Sequence, residues 1–301
     1  MQKQDNYFPL VSIPVITYNS SQTVLDTLES IKFQTYKNLE LILSDDASRD
    51  DTVSICKEWI EKNRSRFIRV LLIEGKSNVG ISANANRALS SCEGEWVKGI
   101  AGDDILFPDC ISRFVEYVCK HQSAVYVFAK IKAFGGSKRD IKLYEDRFNN
   151  VFFSVPREEQ YQLLLRGICP PAPTAFYHRE KVKELGVLND ERIPFMEDLP
   201  KWVSLYRKGV SFDFLDEYVV NYRLGGISTT KAWFDYLGYK NLRLFYFYYV
   251  FEEKYKEDPI KAVEEVVDYE VRTMKQLRES KSFRIGDAIL KPLRIVKRWL
   301  K

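Results

Sequence analysis

Two rhythms of apolar and polar positions alternate over the first 130 residues. Residues 11–16 form a short apolar run of the kind a buried strand shows. Val24, Leu25, Leu28 and Ile31 then recur at helical spacing behind Ser20 or Ser21, either of which can cap a helix. The pair repeats: residues 39–43 predict a strand, and Asp50 caps a helix carrying Val53, Cys56 and Ile60. Residues 68–73 and 81–89 supply a third strand and helix. Residues 96–100 are a fourth strand, Pro108 opens a helix at its first turn, and residues 125–128 close the series. This alternation predicts an α/β fold, a mostly parallel sheet with helices on both faces. Ligands of such sheets bind at the carboxyl ends of the strands. The loops there read Thr17-Tyr18-Asn19, Asp45-Asp46-Ala47-Ser48 and Gly102-Asp103-Asp104.

The rest of the chain is less regular. Residues 135–150 are polar and read as a loop or boundary. Residues 157–166 and 196–208 read as helices, 212–215 and 218–222 as strands, and 233–255 and 260–279 as long helical segments. The expected organisation is a catalytic domain over 1–230, with halves of about 1–130 and 131–230, and a helical extension over 231–301. The 14% aromatic content supports a sizeable core, and the nearly apolar run 244–251 is too short to span a bilayer. Residues 1–6 are polar with no apolar signal segment behind them, which predicts a cytosolic protein.

Charge changes the picture at one end only. The net charge is +4, but residues 281–301 carry seven Lys or Arg and one Asp, so the other 280 residues sum to −2. A nucleic-acid footprint over the whole domain is not supported. In the tail, Ile289, Leu293, Val296 and Leu300 share one helical face among the basic residues, interrupted by Pro292. Basic amphipathic segments with Trp or Phe suit an anionic membrane surface, or else pack on the domain or a second subunit. Five cysteines without a CxxC pair suit reduced thiols, and two histidines are too few for a His-rich metal centre.

Three loops carry adjacent carboxylates. Asp103-Asp104 on a tight turn can hold one hard divalent cation with positions left for phosphate oxygens, or can simply cap the helix near Pro108. Asp45-Asp46 can accept a hydrogen bond from a base or ribose, or form an Asx turn. Glu197-Asp198 can supply a general base, or can complement the dipole of the helix it begins. Gly75-Lys76-Ser77 resembles the end of a P-loop, but Val70 stands where its first glycine belongs, and no GxGxxG occurs.

Taken in order, these segments resemble the family 2 glycosyltransferases of GT-A fold over residues 9–230, a resemblance to bacterial surface-polysaccharide enzymes. Residues 11–19 look like the opening strand and its Tyr-Asn end. Residues 30–36 (SIKFQTY) match S-I-x-x-Q-T-Y/F, and residues 45–52 (DDASRDDT) are similar to D-D-G-S-x-D-x-T. Asn78-Val79-Gly80-Ile81-Ser82 with Asn86-Arg87 resembles N-x-G-x-S-x-x-x-N-R. Gly102-Asp103-Asp104 with Pro108 resembles the D-x-D region, and Glu197-Asp198-Leu199 the E-D-x motif. The resemblance implies an inverting transfer from a nucleoside diphosphate sugar, a UDP-sugar first, to an acceptor hydroxyl, with Mn2+ or Mg2+ as cofactor. It implies nucleotide contacts from Ile16, Tyr18, Asp45, Asp46, Asn78 and Asp103, a metal site at Asp104 with Asp103, and Asp198 as base with Glu197 its rival. The expected acceptor is a lipid-linked glycan or oligosaccharide of O-antigen or capsule synthesis at the inner membrane face. Other readings of the same carboxylates are a non-catalytic nucleotide-sugar module and a metal-dependent nucleotidyltransferase. Three positions depart from the family pattern: Ala101 replaces an Asp, Ala85 an Arg, and Gly225 or Gly226 a His.

Overall fold

A computed structural model describes residues 8–225 and 238–251. The chain divides into two units, Met1–Tyr246 and Phe247–Lys301. The tail 281–301, the helix expected at 260–279 and part of the one expected at 233–255 lie outside the described residues.

Strand and helix alternate as the periodicity predicts: β1 Val11–Thr17, α1 Val24–Lys32, β2 Leu39–Asp45, α2 Thr52–Asn63, β3 Arg69–Glu74, α3 Ile81–Ser90, β4 Trp96–Lys98 and β5 Ile100–Ala101. The expected strand 96–100 is broken at Gly99. A short β6, Ile105–Leu106, precedes α4, Cys110–Lys120. The second half contributes β7 Tyr126–Phe134, α5 Lys138–Asn150, α6 Arg157–Leu165, β8 Phe176–His178, α7 Arg179–Glu184, α8 Asp198–Arg207, β9 Phe212–Arg223 and α9 Gly238–Phe245.

The sheet order is β3-β2-β1-β4-β8-β7-β9-β6, with β5 continuing beside β1. β3, β2, β1, β4 and β5 are parallel neighbours, as are β7 and β9. β8 and β6 run against them. Ile13, Val15, Leu41 and Leu43 are wholly buried against Val24, Leu28 and Ile31 in one core. Each such side chain contributes about 2 kcal/mol.

Two expectations fail in the second half. Residues 135–150 are not a loop: Ser137 caps α5 by accepting the Asp140 N–H at 3.2 Å. The helix carries Ile141, Tyr144 and Phe148 at helical spacing, each only partly buried, while its one fully buried side chain is Asn149, so the apolar signal is weak. Asn149 Oδ1 accepts the Ile131 N–H, its Nδ2 donates to the Ile131 carbonyl, and Glu145 accepts the Ala133 N–H, all at 2.9 Å. These side chains satisfy the edge of β7 where it runs past β8. The strands expected at 212–215 and 218–222 are one strand, β9, whose pairing with β7 shifts around Ala129 and Lys130. Residues 216–217 are the bulge that looked like a break.

Candidate active site

The carboxyl ends of β1, β2 and β5 bring the first two acidic loops to one end of the sheet. Asp45 and Asp46 are both buried. Asp45 Oδ1 accepts the hydroxyls of Thr17 (2.9 Å) and Ser48 (2.6 Å), and its Oδ2 accepts the Ser48 N–H (2.8 Å). Asp46 accepts the Val79 N–H on both oxygens at 3.1 Å and the Gly80 N–H on Oδ2 at 2.9 Å, with Arg87 3.7 Å away. The turn between them places Ala47 at φ +61°. Tyr18 is half-buried beside this loop, and Asn78 is exposed at its lip. Ile16 contributes its carbonyl, which accepts the Gly102 N–H at 3.0 Å.

The Asp103-Asp104 turn is mounted on one polar stripe of α1. Thr23 donates to the Gly102 carbonyl and Thr27 to the Asp104 carbonyl, each at 2.7 Å. Ser30 accepts the Leu106 N–H at 3.1 Å, and Gln34 donates to the Phe107 carbonyl at 2.8 Å. Thr27, Ser30 and Gln34 lie at helical spacing, which gives the SIKFQTY segment a physical task. Arg223, at the end of β9, grips the same turn: its N–H donates to Asp104 Oδ1 (2.9 Å) and its Nε to the Asp103 carbonyl (2.8 Å). Gly102 is required here, since a Cβ would lie 2.8 Å from Thr17 Cγ2.

Burial, and then the neighbouring Asp103 charge, holds Asp104 well above the usual carboxylate range, and burial also raises Asp103. The charges of Lys98 and Arg223 offset this lift only in part. The oxygen donors of the two carboxylates suit a hard divalent cation. Among the described residues no third His, Cys, Asp or Glu joins them. The pair therefore fits such an ion only with further ligands from phosphate oxygens or water.

The Glu197-Asp198 pair begins α8 and reaches the same end of the sheet through docking onto α3. Asn86 donates to the Asn189 carbonyl at 2.9 Å and accepts its N–H at 3.0 Å. Ser82 donates to the Ile193 carbonyl at 2.7 Å, and its N–H to the Pro194 carbonyl at 3.1 Å. Gly80 sits at φ +91°, where an added Cβ would meet Pro194 at 2.9 Å. The Gly80-x-Ser82 and Asn86 positions thus attach the chain that leads to Glu197.

Burial, followed by the Asp198 charge, pushes Glu197 up to about 8, and burial raises Asp198. Asp198 Oδ1 accepts the N–H of Leu199 at 2.7 Å. Lys201, one helical turn on, is lowered to about 8 by burial and lies 4.6 Å above the Tyr177 ring. A carboxylate near pH 8 is a competent proton acceptor under ordinary conditions.

Sequence reading missed Lys98, Arg223 and the α1 stripe. Lys98 is wholly buried and donates to the carbonyls of Gly99 (2.8 Å) and Pro173 (2.5 Å). A lysine inside an apolar strand was the available signal. Its charge acts on Asp104, while Cys169, a few residues before Pro173, feels Asp198 and Glu197.

The sheet, the strand-end carboxylates and the acidic helix start define a GT-A glycosyltransferase fold. The family model described as Glycosyl transferase family 2 matches residues 12–186. The chain belongs to that family. EpsE of Bacillus subtilis (strain 168), named as a glycosyltransferase, is 38% identical over 205 residues, covering 68% of this chain and 69% of EpsE. An Escherichia coli protein, UDP-Glc:alpha-D-GlcNAc-diphosphoundecaprenol beta-1,3-glucosyltransferase WfaP, is 27% identical over 74% of this chain and 81% of its own. The crystal structure of S. aureus TarS aligns with a TM-score of 0.60 at 20% identity over 78% of this chain, which spans only 38% of TarS. A shorter TarS, residues 1–349, has been solved with UDP-GlcNAc (TM-score 0.59, 21% identity, 71% of this chain and 58% of that one).

Proposed function

We propose that this glycosyltransferase moves a sugar from a UDP-sugar to an acceptor hydroxyl with inversion at the anomeric carbon. The observation that carries this reading is the placement of two unlike acidic pairs at one end of the sheet, one on a strand-end turn and one at a helix start. Tyr18 and Asp46 frame the base, with Ile16, Asp45 and Asn78 around it. A carboxylate oxygen has more than one acceptor direction, so Asp46 can hold the 79–80 loop and still accept a base N–H. Asp103 would face the ribose and, with Asp104, would hold Mn2+ or Mg2+, which when bound would supply positive charge against the departing diphosphate. Asp198 accepts the acceptor's proton, with Glu197 beside it keeping the pair's proton affinity high.

The acceptor on this reading is a lipid-linked glycan of a surface polysaccharide. Support comes from WfaP, whose name specifies a diphosphoundecaprenol-linked sugar. The basic amphipathic tail 281–301, outside the described residues, would hold the enzyme at an anionic membrane surface. No helix among the described residues is long and apolar enough to cross a membrane.

The test is an assay of purified protein with UDP-sugars and a polyprenyl-diphosphate sugar, following UDP release and the anomer formed. UDP release with an inverted product is expected, abolished by chelator and by Asp104→Asn. In a parallel assay with UTP and a sugar 1-phosphate, pyrophosphate release would instead make the protein a nucleotidyltransferase, and donor binding without turnover would make it a binding module.

A further inference from the structure

Three consecutive carbonyls of the carboxylate turn are each held by a different side chain: Gly102 by Thr23, Asp103 by Arg223 and Asp104 by Thr27. Two of these holders belong to α1. The third arrives from the far strand β9, and α1 reaches out to orient it: Arg223 Nη2 donates to Asp26 Oδ2 at 2.9 Å. Thr23, Asp26 and Thr27 occupy one face of α1, so a single helix face holds the turn twice directly and once through Arg223. The guanidinium is fixed from a further side by the Phe134 ring, 4.6 Å from its centroid.

This arrangement contributes little to stability. The Asp26 side chain is 57% exposed and that of Arg223 25%, and ion pairs so exposed contribute about 0–1 kcal/mol. Its geometric effect is larger. Arg223 is the one described residue that touches both the Asp104 carboxylate, through its N–H, and the Asp103 backbone, through Nε. The rotation of the turn, and with it the direction in which the two carboxylates face, is therefore set from β9. At position 101 an alanine stands, so the turn lacks a third carboxylate that could correct a misaligned pair.

We infer that Arg223, oriented by Asp26, is a positioning residue that aims the Asp103-Asp104 carboxylates at the cation and the donor diphosphate. The inference rests on the metal-assisted donor binding proposed above. Loss of a side chain that orients ligands typically weakens metal affinity about 10- to 100-fold.

Calorimetric titration of the full chain with UDP, with and without Mn2+, measures the gain in UDP affinity that Mn2+ provides. In Arg223→Gln this gain should fall by about tenfold or more, beyond any loss of metal-free UDP affinity that displacement of Asp103 from the ribose causes. Arg223→Lys should lie between native and Gln, because an ammonium reaches the carbonyl but cannot also fork to Asp26. Asp26→Asn, a surface change with an unaltered melting temperature, should reduce the gain about threefold, a fraction of the full loss. A full gain in both Arg223→Gln and Asp26→Asn overturns the inference and leaves the metal reading standing. Absence of any gain in the native protein overturns the metal reading and this one with it. If Arg223→Gln fails to fold, Asp26→Asn alone decides.

Discussion

The Asp45-Asp46 turn and the Glu197-Asp198 turn are both adjacent carboxylates at a loop end, yet their surroundings differ in kind. Around Asp45 and Asp46 the chain supplies hydroxyls, backbone N–H groups and Arg87. Those donors fix the direction of each carboxylate. Around Glu197 and Asp198 it supplies mainly burial and mutual repulsion, with the Leu199 N–H and nearby Lys201 as partial compensation. The first arrangement makes carboxylates into fixed parts of a binding loop. The second raises their proton affinity, as a general base needs. What decides the role of an acidic pair is therefore the inventory of donors that the fold places around it.

The largest effect that would break this contrast concerns the second pair. Asp198→Asn is expected to lower kcat by about two to four orders of magnitude, with donor affinity nearly unchanged. An active Asp198→Asn enzyme beside a dead Glu197→Gln enzyme would pass the role to Glu197. The acid limb of kcat/KM should lie above the usual aspartate range, because burial raises Asp198. The stability sign follows: the folded value of Glu197, about 8, exceeds its ordinary 4.5, so the folded state holds more protons between those pH values. Stability contributed by the protonated form is full below about 4.5 and is lost as pH rises through about 8. Glu197→Gln should flatten that decline in urea titrations at pH 6 and pH 9.

At the first pair the expected effect is on the fold of the loop. Asp46→Ala leaves the Val79 and Gly80 N–H groups without their acceptor and is expected to cost about 2 kcal/mol of stability, measured by denaturant unfolding. A neutral result would show that the loop 78–80 does not depend on Asp46. The smallest effect lies one residue on. Ala47 adopts φ +61°, a region that costs an L-residue about 1 kcal/mol. Glycine loses more backbone entropy on folding, so Ala47→Gly should gain only about 0.5 kcal/mol. A lowered melting temperature would show that the Cβ of Ala47 contributes packing that outweighs the strain.

Legibility divided along the same line. The parallel half was readable because its strands are apolar runs and its helices show 3.6-residue periodicity. Its motif loops fall where strands end. In the second half, α5 was misread because its short apolar stripe of Ile141, Tyr144 and Phe148 is only partly buried and lies beside the polar anchors Asn149 and Glu145. β9 was misread because a bulge imitates a boundary. Arg223 gave no local signal of its task, since its partners Asp26, Asp103 and Asp104 lie about 120 or more positions earlier.

By itself the sequence determined the alternation of elements, the family, and which acidic pairs stand at loop ends, because periodicity and short-range turn chemistry act over a few residues. Only the tertiary structure decided that Asp45 and Asp46 are surrounded by donors while Glu197 and Asp198 have few. Only it decided that α1 and Arg223 jointly mount the carboxylate turn. Those outcomes depend on desolvation and on hydrogen bonds between segments far apart in the chain, and neither is a property of any local window.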